Sequence, residues 1–152
     1  MHKPLLSFTV LLFSGSIAFA QQMPAPANAD DMKWGAAPNV LPPGAQIAVV
    51  SGHPFKEGLY VVRLKMPAGY KIPAHNHPTT EYVTVLSGAL NIGMGDKLDA
   101  QKGMALRPGG FAEAAAKMNH YAWTSGDTVV QIHGQGPFAI TYVDPADDPS
   151  KK

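Results

Sequence analysis

His75 and His77 stand one residue apart, and Glu81 follows four residues later. On a strand, side chains alternate with period two, so both imidazoles share a face about 6–7 Å apart, near enough to hold one ion. Glu81 keeps the same odd parity and returns to that face after the short turn Pro78-Thr79-Thr80. It precedes Val83 and Val85, which share its parity, and an inward carboxylate among apolar side chains needs a partner. Two imidazoles and a carboxylate converging on one point make a site for a divalent transition metal. The chain has no cysteine, so such a site must be built from histidine, carboxylate and solvent.

The elements that must position these groups are short strands. From Gln46 onward, apolar runs are cut by Gly and Pro every 8 to 12 residues. The pattern predicts strands near 46–51, 59–66, 71–77, 81–86, 89–94, 104–107, 111–114, 120–124, 128–133 and 138–143. The second alternates cleanly, with Tyr60, Val62, Leu64 and Met66 on one face and Arg63 and Lys65 on the other. Only Ala112 to Met118 competes as a helix, and it is too short. Many short strands at regular spacing predict an all-β sandwich or jelly-roll barrel, which also limits exposed edges. There is no internal repeat.

The ends read differently. His2 and Lys3, the apolar run Leu5 to Ile17, and Ala18-Phe19-Ala20 before Gln21 form a secretory signal with an A-x-A cleavage site, 1–20. The apolar run is shorter than the about 20 residues that span a bilayer. A periplasmic or secreted protein is the expectation, with no membrane attachment once the signal is removed. Residues 21–45 read as a flexible leader that packs onto the domain near Trp34 and Leu41-Pro42-Pro43-Gly44, 46–144 as the domain, and 145–152 as a polar tail. Without Lys3, the twelve Lys and Arg fall to the same number as the eleven Asp and Glu. No basic stripe exists, so nucleic acid is not an expected partner. Gly134-Gln135-Gly136 has no following Lys and is not a phosphate loop, and no nucleophile elbow is present.

Gly69 to Gly88 reads G-x5-H-x-H-x3-E-x6-G without a departure, the first signature motif of the cupin superfamily, which this chain closely resembles. More narrowly, the order of Trp34, Pro-Pro-Gly, His-x-His-Pro, His-Tyr-Ala-Trp, His-Gly-x-Gly-Pro-Phe and Tyr-Val-Asp-Pro-Ala-Asp-Asp-Pro is similar to small exported bacterial single-domain cupins. The resemblance implies a cupin-type double-stranded β-helix with one metal held by His75, His77, Glu81 and His120. His120 falls in the histidine place of the second motif, G-x5-P-x-G-x2-H-x3-N, counted from Gly109. Ala115 replaces its Pro, Lys117 its Gly and Thr124 its Asn, which removes residues that pre-set the turn before His120. Asn119 is a candidate for the unusual dihedral there.

If Ser125-Gly126 is a two-residue turn, His120 pairs with Gln131, and His133 lies on the same face. Gln131, His133, Val83 and Val85 then line the metal's cavity. His133 becomes a base beside the metal, a substrate contact, or the replacement ligand for His120. Its alternative is a strand-end histidine bonded to a carbonyl. Trp123, Tyr121, Val130 and Ile132 would face the other way, as sheet core or dimer surface.

Relatives of this kind use Fe, Mn, Ni, Cu, Co or Zn and serve as dioxygenases, oxidases, isomerases, lyases or non-catalytic binders. The expectation is an exported metal-dependent oxidoreductase of oxygenase type acting on a small organic molecule, with Glu81 and His133 as its catalytic candidates. Homodimerisation is what the resemblance implies. A non-catalytic metal- or ligand-binding periplasmic cupin is the second expectation, and a structural cupin without metal the third.

Overall fold

The computed structural model describes residues 26–152, so the expected signal segment 1–20 lies outside the described residues. Among the described residues, eleven strands form two antiparallel sheets. They are β1 (Gly35–Ala36), β2 (Gln46–Ser51), β3 (Gly58–Met66), β4 (Lys71–Asn76), β5 (Glu81–Ser87) and β6 (Leu90–Met94), then β7 (Met104–Leu106), β8 (Phe111–Ala114), β9 (His120–Thr124), β10 (Thr128–Gly136) and β11 (Thr141–Tyr142). One sheet runs β1-β2-β3-β10-β5-β8 and the other β11-β4-β9-β6-β7. This is the expected jelly roll. Among the described residues, no helix is long and apolar enough to cross a membrane.

The core lies between the sheets and follows the alternation. Tyr60, Val62, Leu64 and Met66 of β3 are all buried, while Val61, Arg63 and Lys65 between them are only partly so. Leu64, Met66, Val83, Val85 and Val130 from the larger sheet meet Ile72, Leu90 and Ala122 from the smaller. Removing such side chains from water contributes about 1.5–3 kcal/mol each. Gly88 closes the β5–β6 turn at φ +74°, where a Cβ would sit 2.3 Å from the Asp127 carbonyl oxygen. Only glycine fits that turn.

Three expectations change. Ser125-Gly126 does not close a hairpin. β9 sits between β4 and β6, β10 sits between β3 and β5, and the three residues Ser125, Gly126 and Asp127 carry the chain from one sheet to the other. Strand β10 runs on through Gly134 and Gly136, which pair with Tyr60 and Gly58. Their missing side chains suit strand packing here, because a Cβ on Gly136 would meet the Lys56 carbonyl oxygen at 2.1 Å. The strand expected at 138–143 shrinks to Thr141–Tyr142, paired with Asn76 and His75. The leader is also ordered where it meets the barrel: Tyr70 and Tyr142 donate their hydroxyls to the carbonyls of Pro42 and Val40.

Candidate metal centre

A bulge in β4 aims the first histidine. Ile72 pairs with Ala122 and His75 with His120, so three steps on β4 answer two on β9. The extra residue re-phases the strand, and both Ile72 and His75 reach the same cavity although simple alternation would separate them. His77, just past the end of β4, shares the face of His75. His120 opens β9 directly opposite His75, and Glu81 opens β5 in the facing sheet. The site therefore bridges the two sheets at one end of the barrel.

The turn before His120 keeps its shape without the usual Pro and Gly. Lys117, not Asn119, takes the left-handed conformation at φ 63°. Its amide donates to the His77 carbonyl at 2.8 Å, which ties the two histidine-bearing segments together. Asn119 instead bridges, accepting from Asn76 and donating to Asp96, each at 2.7 Å. Thr124, in the place of the motif's Asn, is fully used: its hydroxyl donates to the Pro67 carbonyl and accepts from the Tyr70 amide.

His75, His77 and His120 are each 5% exposed or less, and their ligand nitrogens lie within 4.8 Å of one another. Each ring has Nδ1 on a backbone carbonyl: His75 on Pro73 at 2.7 Å, His77 on Ala139 at 2.8 Å, His120 on Met118 at 3.0 Å. A carbonyl can only accept, so Nδ1 carries the proton and Nε2 presents its lone pair to the centre. The Nε2 atoms of His77 and His120 are buried without a hydrogen-bond partner. They face the Glu81 oxygens at 3.6 and 3.7 Å, too far for hydrogen bonds. Two ligands sharing one ion at about 2.0–2.2 Å stand about 3–4 Å apart, so these gaps suit an ion that bonds to both sides. The residues present fit a divalent metal.

The electrostatics agree. Burial, with the neighbouring imidazoles of His120 and His77, lowers His75 to about 3, so it stays neutral and available as a donor. Burial alone would push the Glu81 carboxyl up, but His120 and His77 outweigh it and hold the group well below the usual carboxylate range. Burial likewise lowers His77, and the Glu81 carboxylate outweighs that and raises it. Together these groups could hold a cation.

Around the four polar groups lies an apolar cavity with about 70 Å³ of free interior volume. Its walls include Val83, Leu90, Ile92, Ile132 and Phe138, with Pro38 and Leu41 of the leader. Val85 is buried in the core and does not reach the cavity. Gln131 and His133 do not line it. With β10 paired to β3 and β5, their inward neighbours are Val130 and Ile132, while Gln131 accepts from the Arg63 guanidinium and His133 stacks on Tyr82 at 4.9 Å. His133 is thus neither ligand nor base at this centre. Val130 and Ile132, expected opposite His120, are on the cavity wall. Phe138, 5.2 Å from the His77 ring, and Tyr60 also face the site.

The fold has many solved counterparts. The polyketide cyclase RemF from Streptomyces resistomycificus is 14% identical, with 85% of this chain and 92% of that one covered at a TM-score of 0.65. A protein provisionally assigned as an acetylacetone dioxygenase, from Methylibium petroleiphilum, is 17% identical over 86% and 88% at 0.63. An RmlC-like cupin from Shewanella frigidimarina is 13% identical over 76% and 94% at 0.57. At these identities the likeness is one of fold. No curated protein matches the chain. The family model of DUF4437, a domain of unknown function, matches residues 19–141, and the chain therefore belongs to that family, on a cupin jelly roll.

Proposed function

We propose that this protein is an exported, metal-dependent oxidoreductase of oxygenase type, with His75, His77, His120 and Glu81 holding one divalent Fe, Mn, Ni, Cu or Zn ion. Its substrate is a small, partly apolar organic molecule. The observation that carries the metal is the inward aim of the three imidazoles. Each is fixed by a carbonyl on Nδ1, and two Nε2 atoms are buried with no other partner. When bound, the ion supplies Lewis acidity and, if redox-active, one-electron chemistry.

The chain's own residues set the conditions. Three neutral imidazoles and one carboxylate offset only one unit of a divalent charge, leaving the centre attractive to an oxygen anion. The carbonyl anchors hold each donor's tautomer and direction. Val83, Ile92, Ile132 and Phe138 keep water from the cavity and receive the apolar body of a ligand. Fold neighbours include a cyclase and a provisionally assigned dioxygenase, so the fold does not choose the reaction. Oxygen uptake by the iron-, manganese-, nickel- and copper-loaded protein with 1,3-diketones, aromatic diols and small acids tests it. Substrate-dependent uptake supports oxygenation, and its absence with every metal overturns it.

A non-catalytic metal- or ligand-binding cupin is the second reading. Its support is the scarcity of polar groups on the wall: beyond the four ligands, Tyr60 alone among the described residues. Export rests on the signal pattern of residues 1–20, and the family match opens only at residue 19. An exported protein that retains Met1 and stays with membranes would contradict the cleaved signal.

A further inference from the structure

Four tyrosines are buried among the described residues. Tyr70, Tyr121 and Tyr142 each donate their hydroxyl to a backbone carbonyl, of Pro42, Asp99 and Val40. Tyr60 is 3% exposed, and its hydroxyl has no hydrogen-bond partner among the described residues. Tyr60 lines the cavity, so its hydroxyl is available to a ligand there.

Its position follows from the ladder. Tyr60 of β3 pairs with Gly134 of β10, which pairs with Glu81 of β5. Tyr60 and Glu81 thus stand two strands apart on one inner face, with no side chain between them. A Cβ on Gly134 would lie 3.1 Å from the Tyr60 Oη and 3.4 Å from its Cζ, so the phenol leans over the glycine. Phe138 holds the ring edge-on at 6.3 Å, and packs in turn on His77. The aromatic ring is fixed and its hydroxyl is not.

We propose that Tyr60 donates a hydrogen bond to the oxygen anion, carboxylate or enolate, of an apolar-bodied ligand seated at the three-histidine centre, and that Gly134 keeps that space open. This rests on the metal-centre reading. The ion's residual positive charge selects an anionic oxygen, and an O–H is the donor such an oxygen takes. The rest of the wall is hydrocarbon, so the ligand's remaining atoms are apolar. Tyr60 fixes the ligand's orientation and discriminates against analogues lacking the acceptor.

The test uses the full-length protein loaded with Co(II) and titrated with benzoate, followed by the cobalt visible spectrum. The parent binds benzoate. Tyr60→Phe, with unchanged cobalt content and an unchanged anion-free spectrum, binds it about ten- to a hundredfold more weakly. Gly134→Ala weakens binding as well, by displacing the hydroxyl. Equal affinity in Tyr60→Phe with cobalt retained overturns the role of Tyr60 alone, and no spectral response in the parent overturns the anion site. A parent that does not retain cobalt overturns the metal centre itself, and the proposal with it.

Discussion

His75 and His120 face each other across the β4–β9 ladder, in register, with ring centroids 4.2 Å apart. Each bonds through Nδ1 to the carbonyl two residues before it, Pro73 and Met118. The same local device, used on two neighbouring strands, turns both Nε2 atoms to one point. The backbone itself sets the donor direction, and no second carboxylate is needed to orient these rings.

Glu81 supplies the one negative charge. Glu81→Gln keeps the shape and removes the charge, so metal affinity should fall about 10- to 100-fold, on the scale of losses at metal sites. Competition with a chelator of known affinity measures it. Unchanged affinity would show that the carboxylate is not a ligand.

The outer face should be silent for metal. His133→Ala and Gln131→Ala remove the Tyr82 stack and the Arg63 hydrogen bond but touch no cavity atom. Each should leave metal content unchanged and cost about 1 kcal/mol or less of stability by denaturant titration. Loss of metal in either variant would restore them to the site.

Lys117 occupies a glycine conformation at φ 63°. Lys117→Gly relieves that strain and should change stability by less than about 1 kcal/mol. Lys117→Val, β-branched, should lose about 1–2 kcal/mol in the same urea titration. Equal midpoints for the two variants would show that the turn is not left-handed in solution.

Alkali should unfold the protein. Burial pushes the Tyr70 phenol up to about 12, and those of Tyr60 and Tyr142 are raised as well. Below about pH 10 these phenols are neutral in both states. From about pH 10 to about 12 the unfolded chain gives up protons that the folded chain keeps, so stability falls as pH rises. Tyr70→Phe should flatten this fall in the pH dependence of the denaturation midpoint. A slope identical to the parent's would contradict it.

The cupin motif and the alternation of β3 made most of the barrel legible, and His75, His77, Glu81 and His120 come together as the cupin resemblance implied. What misled was connectivity. Parity along β10 depends on which strand it joins, and the expected two-residue Ser125-Gly126 turn is a three-residue crossover, Ser125 to Asp127. His133 and Val130 exchanged faces on those two points, the length of the link and the strands it joins. Tyr60 was legible as an inward residue, but its free hydroxyl depends on Gly134 two strands from Glu81, a non-local relationship. The β4 bulge is equally invisible in sequence, although it is what lets Ile72 and His75 share a wall.

The central claim is tested most directly by elemental analysis of the full-length protein expressed with its own N-terminus, beside His75→Ala and His120→Ala. The account predicts close to one divalent transition metal per chain in the parent and a loss of at least about tenfold in each variant. Full metal content in either variant, or a parent that holds no metal at any supply, would contradict it.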